Sequence, residues 1–330
     1  MALNFLIKLK ILWAIYDIQA IYFPILAAFG VPVNVVTIVI LSQGKCGLSR
    51  CITRYLVAMA AADLLVIIID LILRQIPIVY WEQFIFLWNV SLCNIHAVLL
   101  YAVTDCSVWF TVTFTFDRFV AISCQKLKTK YCTEKTADIV LGTVTVVSCL
   151  KNIFWYFLFT KEYWLSNSSW FCRVAVGASH SLAWTVVEFM HYITTPFIPF
   201  LLILLLNTLT VRNILMASRV RSRLRKPSNG ESPRDPEMES RRKSMILLFI
   251  ISGNFILLWV VFMVCSILRR LDYLWISVPL PTFVRELGFM LQLLSCCTNT
   301  FIYAVTQKKF REELKNGVTY PFTMMAKLIR

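Results

Sequence analysis

Seven long apolar stretches dominate the sequence, each at or above the roughly 20 residues that a helix needs to cross a bilayer core. Hydrophobic residues make up 58% of the chain and only 15% are charged, whereas about a quarter is usual in soluble domains. Lipid offers the backbone no hydrogen-bond partner, so only helices and closed barrels cross it, and a barrel needs short alternating strands. The chain is therefore predicted to be an all-α membrane protein with seven spanning helices. The predicted spans are Tyr16–Leu41, Ile52–Leu73, Leu87–Cys124, Thr136–Phe159, Leu182–Met216, Met245–Leu268 and Phe283–Thr306.

These spans predict one membrane domain over residues 16–306, without internal repeats. Residues 1–15 are predicted to be a short extracellular N-terminus, and residues 307–330 an eighth helix and a cytosolic tail. The third cytosolic loop, 217–244, is expected to be flexible because it combines three prolines with mixed charge.

The lysines and arginines between the spans predict the orientation. Alternate connections and the tail place 23 basic residues on one side, and the other side has seven. Cytosolic loops carry the excess of basic residues, so the N-terminus is expected outside and the C-terminus in the cytosol of a multi-pass plasma-membrane protein.

The cysteines and the glycosylation motifs agree with this orientation. Of 11 cysteines, Cys93 and Cys172 are the ones in predicted extracellular regions, where disulfides persist. We predict a bridge between them; the alternative is two unpaired thiols. Asn89 and Asn167 begin Asn-X-Ser glycosylation motifs on the same side, although such motifs are common by chance.

Two other classes of protein are disfavoured. The net charge of +15 could indicate nucleic-acid binding, but the basic residues would need a soluble domain, for which the chain has no room. An enzyme is not expected, because no metal-ligand motif, P-loop or dinucleotide motif occurs. No metal site is predicted either, and His96, His180 and His191 do not cluster in the sequence.

Charged side chains inside a span are costly and tend to mark function. Asp63 follows three alanines in the second span and is either an ion-binding centre or a buried carboxyl satisfied by its neighbours. Arg118 ends the third span beside Asp117, and its side chain either snorkels to water or has a functional role.

Polar residues near the outer ends of the spans indicate either a ligand pocket or hydrogen-bonded contacts between helices. In the fifth span, Glu188 and His191 lie on one helical face. Asp105 lies in the third span, and Arg285 and Glu286 open the seventh, where they could equally form an interfacial ion pair.

In order along the chain, several motifs resemble those of rhodopsin-like (class A) G-protein-coupled receptors, and Cys93 lies 25 residues before Arg118 as in that family. The segment from Cys297 to Leu314 is similar to a small orphan-receptor group for which the aromatic amino acids L-Trp and L-Phe are proposed agonists, with coupling mainly through Gq. The matching residues are Asn34, Asp63, Cys93, Asp117-Arg118-Phe119, Cys172, Pro199, Phe255, Trp259, Asn299, Tyr303 and Phe310.

The resemblance implies roles for these residues. Arg118 would be held by Asp117 at rest and released toward a G protein, with Phe119, Asn299 and Tyr303 taking part in activation. A central polar site able to hold a sodium ion would comprise Asp63, Ser107 and Asn299, and no other cofactor is expected. Phe255 and Trp259 would form the activation switch. The ligand-pocket candidates are Thr104, Asp105, Glu188, His191, Trp259, Arg285 and Glu286.

Departures from the family pattern keep other functions open. Val261 and Thr300 stand where the sixth and seventh helices usually carry prolines, and Asn207 replaces a tyrosine. These changes favour, as an alternative, a signalling-silent or decoy receptor; a transporter would need inverted repeats or paired broken helices, which the sequence does not show. Leu100 occupies the aspartate position of amine receptors, so an amine ligand is not expected.

The expected partners follow from this interpretation. They are a small extracellular ligand, either an aromatic amino acid or a short peptide, and a heterotrimeric G protein. Basic cytosolic segments are expected to attract anionic membrane lipid as well. Beyond Gln307, Thr319, Tyr320 and Thr323 carry the tail's hydroxyl groups, so arrestin coupling through a phosphorylated tail is expected to be weak.

Overall fold

The computed structural model describes residues 2–165, 171–177, 181–224, 236–272 and 280–317. Seven of the helices in this part of the chain are long and apolar enough to cross a membrane, which confirms the predicted seven-helix fold. They are α1 (Ala2–Ser42), α2 (Arg50–Val79), α3 (Cys93–Ser123), α4 (Glu134–Leu158), α5 (in three segments, Leu182–Tyr192, Ile193–Phe197 and Ile198–Leu224), α6 (Pro236–Asp272) and α7 (Thr282–Thr306). A short helix, α8, follows over residues 308–317 and fits the predicted eighth helix.

Several helix ends differ from the predicted ones. α1 begins at Ala2, so the segment predicted as a separate N-terminus continues the first helix, whose 41 residues span about 60 Å. The start of α3 is Cys93 rather than Leu87, because Ile85–Asn89 forms a 3₁₀ turn before it. Two helices, α5 and α6, extend into the predicted third loop, and Pro236 takes the first helical position, where a missing N–H costs nothing.

Two helices contain irregular turns. α2 has a π-helical stretch at Ile67–Gln75, and α5 has one at Ile193–Phe197 that contains Pro196. Proline removes a backbone donor and opens the hydrogen-bond ladder, which accounts for the irregular turn in α5. Thr195 adopts extended dihedral angles there, φ −153° and ψ 109°.

A two-stranded antiparallel sheet, which was not predicted, covers one end of the bundle. Strand β1 (Phe159–Tyr163) follows α4, and β2 (Cys172–Val174) pairs with it. The predicted disulfide between Cys93 and Cys172 ties β2 to the start of α3 and is confirmed. We call this end of the bundle the disulfide face and the opposite end the Arg118 face.

Burial distinguishes the central helix from the peripheral ones. In the most apolar part of α3, 61% of the residues are buried, whereas the corresponding share in α4 is 17%. Large apolar side chains such as Phe29, Leu257 and Phe301 are mostly exposed, as expected of surfaces that face lipid rather than water. At the Arg118 face, Phe310 buries α8 against Tyr303 of α7, with ring centroids 6.0 Å apart.

Candidate functional site

Asp63, Ser107 and Asn299 meet in the middle of the bundle, as predicted from three separate spans. The Ser107 hydroxyl donates to Asp63 Oδ1 at 2.6 Å, and the Asn299 amide donates to Asp63 Oδ2 at 2.7 Å. Asp63 is buried, so these charge-assisted hydrogen bonds connect α2 with α3 and α7.

A small cavity of about 10 Å³ adjoins this carboxylate, room for roughly one water-sized particle. Its wall carries hydroxyl, amide and carboxylate oxygens, the ligands that hard cations prefer. One carboxylate among neutral oxygens fits a single monovalent cation such as sodium. Among the described residues, no group of three or more His, Cys, Asp or Glu side chains could hold a metal ion. The polar residues of the wall are Asp63, Ser107, Thr111, Asn254, Ser295 and Asn299.

Trp259 separates this central cavity from a larger one toward the disulfide face and lines both. Its indole Nε1 donates to the Ser295 hydroxyl at 3.0 Å, and Ser295 donates to the Gln292 carbonyl at 2.6 Å. The Phe255 ring stacks on Trp259 with centroids 5.3 Å apart. A group pressing on Trp259 from the larger cavity would therefore push on the residues beside Asp63.

The larger cavity, which we call the outer cavity, has a volume of about 80 Å³. Four of the predicted ligand-pocket residues line it, namely Thr104, His191, Trp259 and Arg285. Four further aromatic side chains also line it, namely Tyr101 on α3, Tyr192 on α5, Phe262 on α6 and Phe289 on α7.

The other three predicted pocket residues, Asp105, Glu188 and Glu286, are not on the cavity wall. Glu286 accepts hydrogen bonds from Gln19 of α1 at 3.3 Å and from Arg285 at 2.7 Å. Its carboxylate thus lies in a contact between α1 and α7, behind the wall.

Asp105, a candidate for the ligand pocket, faces α4 and takes part in a contact between helices. Its carboxylate lies 2.7 Å from Lys151 Nζ and accepts a hydrogen bond from Asn152 Nδ2 at 2.6 Å. Consecutive helical residues point about 100° apart, so the neighbour of the cavity residue Thr104 turns toward the next helix. The sequence interpretation did not consider Lys151, near the end of α4, as a partner.

A second pair, Asp70 and Arg74, was not predicted at all. Arg74 Nη2 lies 2.6 Å from Asp70 Oδ1, both residues are buried, and both line the outer cavity. The sequence held the signal: an acidic residue four positions before a basic one on a helix. Arg74 was assigned to a connection instead, because the helix was expected to end at Leu73 rather than Val79.

Arg118 is held in place at the Arg118 face. Its guanidinium donates to the Asp117 carboxylate through Nε at 3.0 Å and also through Nη2, and Nη1 donates to Ser244 of α6 at 3.2 Å. The side chain is buried, whereas a snorkelling arginine would extend its head into water. The geometry thus favours a functional contact between α3 and α6 over simple snorkelling.

The family of this fold is clear from sequence comparison. The family described as "7 transmembrane receptor (rhodopsin family)" matches residues 33–303. The chain belongs to this rhodopsin family of receptors. Membership makes it a cell-surface receptor that acts through G proteins, and not an enzyme.

Two receptors named 5-hydroxytryptamine receptor 4 are similar to it. The guinea-pig (Cavia porcellus) protein is 28% identical over 280 residues, which cover 78% of this chain and 68% of that protein. The human protein is 27% identical over 277 residues, with the same shares covered.

Around Asp117, the receptor also carries two thiols. Cys51 Sγ donates to Asp117 Oδ1 at 3.3 Å, and Cys132 Sγ donates to the Asp117 carbonyl at 3.6 Å. Burial and the nearby Asp117 charge raise the pKa of Cys132, which lies between α3 and α4, to about 12, so this thiol stays protonated at neutral pH. The Cys132 thiol therefore acts as a hydrogen-bond donor, and the contacts of Cys51 and Cys132 help to position Asp117.

The remaining predicted residues of the receptor take ordinary places. Phe119 is half-buried and packs near Phe116, and Tyr303 is fully buried under α8. Asn89 ends the 3₁₀ turn before α3, near the disulfide face, while Asn167 lies outside the described residues. Thr300, which replaces a proline, accepts a hydrogen bond from Thr37 at 2.8 Å and so joins α7 to α1.

Proposed function

We propose that this receptor binds a small extracellular ligand in the outer cavity and passes the signal through Trp259 and the Asp63 cluster to Arg118. The N-terminus and the disulfide face then lie outside the cell, and the tail lies in the cytosol. The observation that carries the proposal is Trp259, which forms a wall of both cavities. A ligand on one side of it can bias the arrangement of helices on the other.

Activation in this proposal requires Arg118 to leave α6. The ligand has to bind better to the arrangement in which Arg118 is released, since equal affinity for both arrangements shifts nothing. In the present arrangement Ser244 ties Arg118 to α6, and hydrogen bonds to charged groups contribute about 1.5–3 kcal/mol. A displacement of α6 breaks that contact and exposes the guanidinium to a G protein, for which we favour the Gq type.

A sodium ion is proposed as an allosteric partner at the Asp63 cluster. When bound there, it supplies a positive charge that neutralises the buried carboxylate. Asp63 would hold it together with the oxygens of Ser107 and Asn299, which connect α2, α3 and α7. The same three helices would thereby be held in the arrangement in which Arg118 is bound.

For the ligand we favour an aromatic amino acid, by resemblance to the orphan-receptor group, with a short peptide as the larger alternative. The aromatic walls of the outer cavity suit such a ligand. The relatives named above are receptors for an amine, 5-hydroxytryptamine. Here the apolar Leu100 lines the cavity at the family's amine-binding position, which argues against an amine.

The contact with the membrane and the regulation by arrestin remain part of the same proposal. Basic residues at the Arg118 face would attract anionic lipid, and the tail's few hydroxyl groups would support little arrestin binding. The alternative of a silent or decoy receptor rests on Thr300, whose bond to Thr37 restrains α7 where the family pattern has a proline.

The coupling role of Arg118 is tested in cells by inositol phosphate and calcium release, with L-Trp and L-Phe as probes. In Arg118→Ala we expect the response to fall at least about tenfold, the effect of losing about 1.4 kcal/mol of coupling. Arg50→Ala is the matched control, because it removes an exposed arginine from the same face. Normal signalling by Arg118→Ala at equal surface level contradicts the role.

A flat response of the wild-type receptor to both amino acids, with surface expression verified, would rule out the amino-acid ligand. If basal and ligand-induced activation of every G-protein class were absent as well, the silent alternative would be favoured.

A further inference from the structure

We propose that the outer cavity is built for a ligand that carries a carboxylate, and that Arg74 is the residue that binds this group. The inference rests on the outer cavity being the ligand site, as proposed above, and deepens it by naming the ligand's charged group. It depends on the buried Asp70–Arg74 pair.

Guanidinium groups outnumber carboxylates on the described wall of the outer cavity. Arg74, Arg269 and Arg285 line it, while Asp70 is the one carboxylate on the described wall. Glu286 lies beside Arg285 but behind the wall, so Asp70 is the carboxylate that the described wall itself presents. In a partly enclosed site, screening by water is reduced, so a guanidinium group on the wall that keeps a donor available favours an anionic group.

Arg74 is positioned for a second carboxylate. Its Nε and Nη2 atoms contact the same oxygen of Asp70, at 2.8 Å and 2.6 Å. Among the described residues, no hydrogen bond engages its Nη1 atom. A guanidinium has five donors in a rigid fork that matches a carboxylate, so its outer edge can bind a ligand while the inner edge keeps Asp70.

Two aromatic rings and the Asp70 carboxylate hold the guanidinium in place. Its central carbon lies 5.3 Å from the Phe289 ring centroid and 5.8 Å from that of Phe171, within the range of cation–π contacts. Phe171 directly precedes Cys172, so the disulfide bond to α3 anchors the backbone beside this ring. The arginine is therefore preorganised, which reduces the entropy lost when a ligand binds.

The same arrangement disfavours an amine. A ligand ammonium would find a single wall carboxylate, already bonded to Arg74, among three guanidinium groups. An aromatic carboxylate would instead place its charge on Arg74 and its ring against the aromatic part of the wall. The site thus selects by charge between ligands of nearly equal shape.

Three indole compounds test this directly on the purified full-length receptor in detergent. L-tryptophan carries both charges, indole-3-propionate only the carboxylate, and tryptamine only the ammonium. We expect the two carboxylates to raise the melting temperature in a saturable manner and tryptamine to leave it unchanged. Thermal unfolding needs no G protein, so a failure of signalling does not affect the result.

Variants assign the effect to Arg74. Arg74→Lys keeps the charge and the pair with Asp70 but lacks the fork, and should weaken carboxylate binding at least about tenfold. The double variant Asp70→Asn/Arg74→Gln removes both charges without leaving a buried carboxylate unpaired. It should abolish binding of the carboxylate ligands. Arg173→Gln is the control, because Arg173 lies at the same face in an exposed pair with Glu162.

The proposal is overturned if neither carboxylate stabilises the receptor, if tryptamine stabilises it as much, or if the double variant binds indole-3-propionate like the wild type. Should the carboxylates bind through Arg74 without any G-protein activation, the proposed function fails while this inference stands.

Discussion

Asp63 and Asp105 are both buried carboxylates within membrane-spanning helices, yet their surroundings differ completely. The hydrogen bonds to Asp63 come from the neutral groups of Ser107 and Asn299, whereas Asp105 is paired with the lysine Lys151. A negative charge that neutral groups alone surround can still be balanced by a cation or a proton. One that already has a cation partner is largely neutralised and attracts a second cation less strongly.

The Asp105 site therefore acts as a fixed clamp between three helices. Lys151 reaches from α4 to Asp105 on α3 and also donates to Thr194 and Thr195 in the irregular turn of α5, at 3.3 Å and 3.1 Å. Asn152 adds a bond from α4 at 2.6 Å. Thr195 has extended dihedral angles, and its hydroxyl contacts the ammonium group of Lys151. The irregular turn of α5 thus supplies one of the contacts of the clamp.

The Asp63 site has the opposite character. It has an adjoining cavity, and Trp259 and Phe255 lie between it and the outer cavity. A change in the charge at Asp63 would alter contacts of α2, α3 and α7 at once. We infer that Asp63 responds to the state of the receptor, while Asp105 stabilises every state.

The largest effect is expected for Lys151→Met. It leaves the Asp105 carboxylate buried without its cation, and breaking such a pair costs about 3–5 kcal/mol of stability. Thermal unfolding of the purified protein and its surface level in cells measure the loss. The double variant Asp105→Asn/Lys151→Met should recover most of it, and a single variant as stable as the wild type would show that the pair is not a clamp.

An intermediate effect is expected for sodium. Replacing sodium chloride by choline chloride should lower the free energy of unfolding of the wild type by on the order of 1 kcal/mol, which a lower melting temperature reveals. Asp63→Asn should lose this dependence, because the negative charge that attracts the ion is gone. The Asp105→Asn/Lys151→Met variant should keep the sodium dependence. The opposite pattern would show that the cation binds at Asp105 and not at Asp63.

Thr195→Val should have the smallest effect. It removes one hydrogen bond of Lys151, and the cost is about 1 kcal/mol because the partly exposed ammonium group can bond to water instead. Valine's branched Cβ suits the extended backbone at this position. Thermal unfolding checks the size, with Thr208→Val, an exposed threonine on the same helix, as the control. A loss as large as that of Lys151→Met would mean that the turn, not the ion pair, holds the three helices.

The sequence predicted the Asp63 cluster because its three members lie on motifs whose spacing is typical of the family. Asp105 and Arg74 were placed wrongly for physical reasons. The Asp105 side chain points toward Lys151 because of how α3 is rotated about its axis relative to α4. No local sequence pattern determines that rotation. Arg74 was taken for a loop residue because the helix was expected to end at Leu73, but α2 continues through a π turn to Val79.

The seven helices themselves could be predicted from length and apolarity, since lipid leaves few alternatives. The pairing of β1 with β2 could not, because it depends on the contact of a loop with the start of α3. The disulfide was predictable because Cys93 and Cys172 are the cysteines that the predicted topology places outside the cell, where disulfides persist.

The roles of Asp63 and Asp105 are compared most directly by the nucleotide exchange that the receptor and its variants stimulate on a reconstituted G protein. The rate is measured in sodium salt and in potassium salt. The wild type and Asp105→Asn/Lys151→Met should both stimulate exchange, more in potassium than in sodium, because bound sodium favours the arrangement that holds Arg118. Asp63→Asn should show no difference between the salts. The account is contradicted if Asp63→Asn keeps the salt dependence, if the double variant loses it, or if the wild type stimulates no exchange.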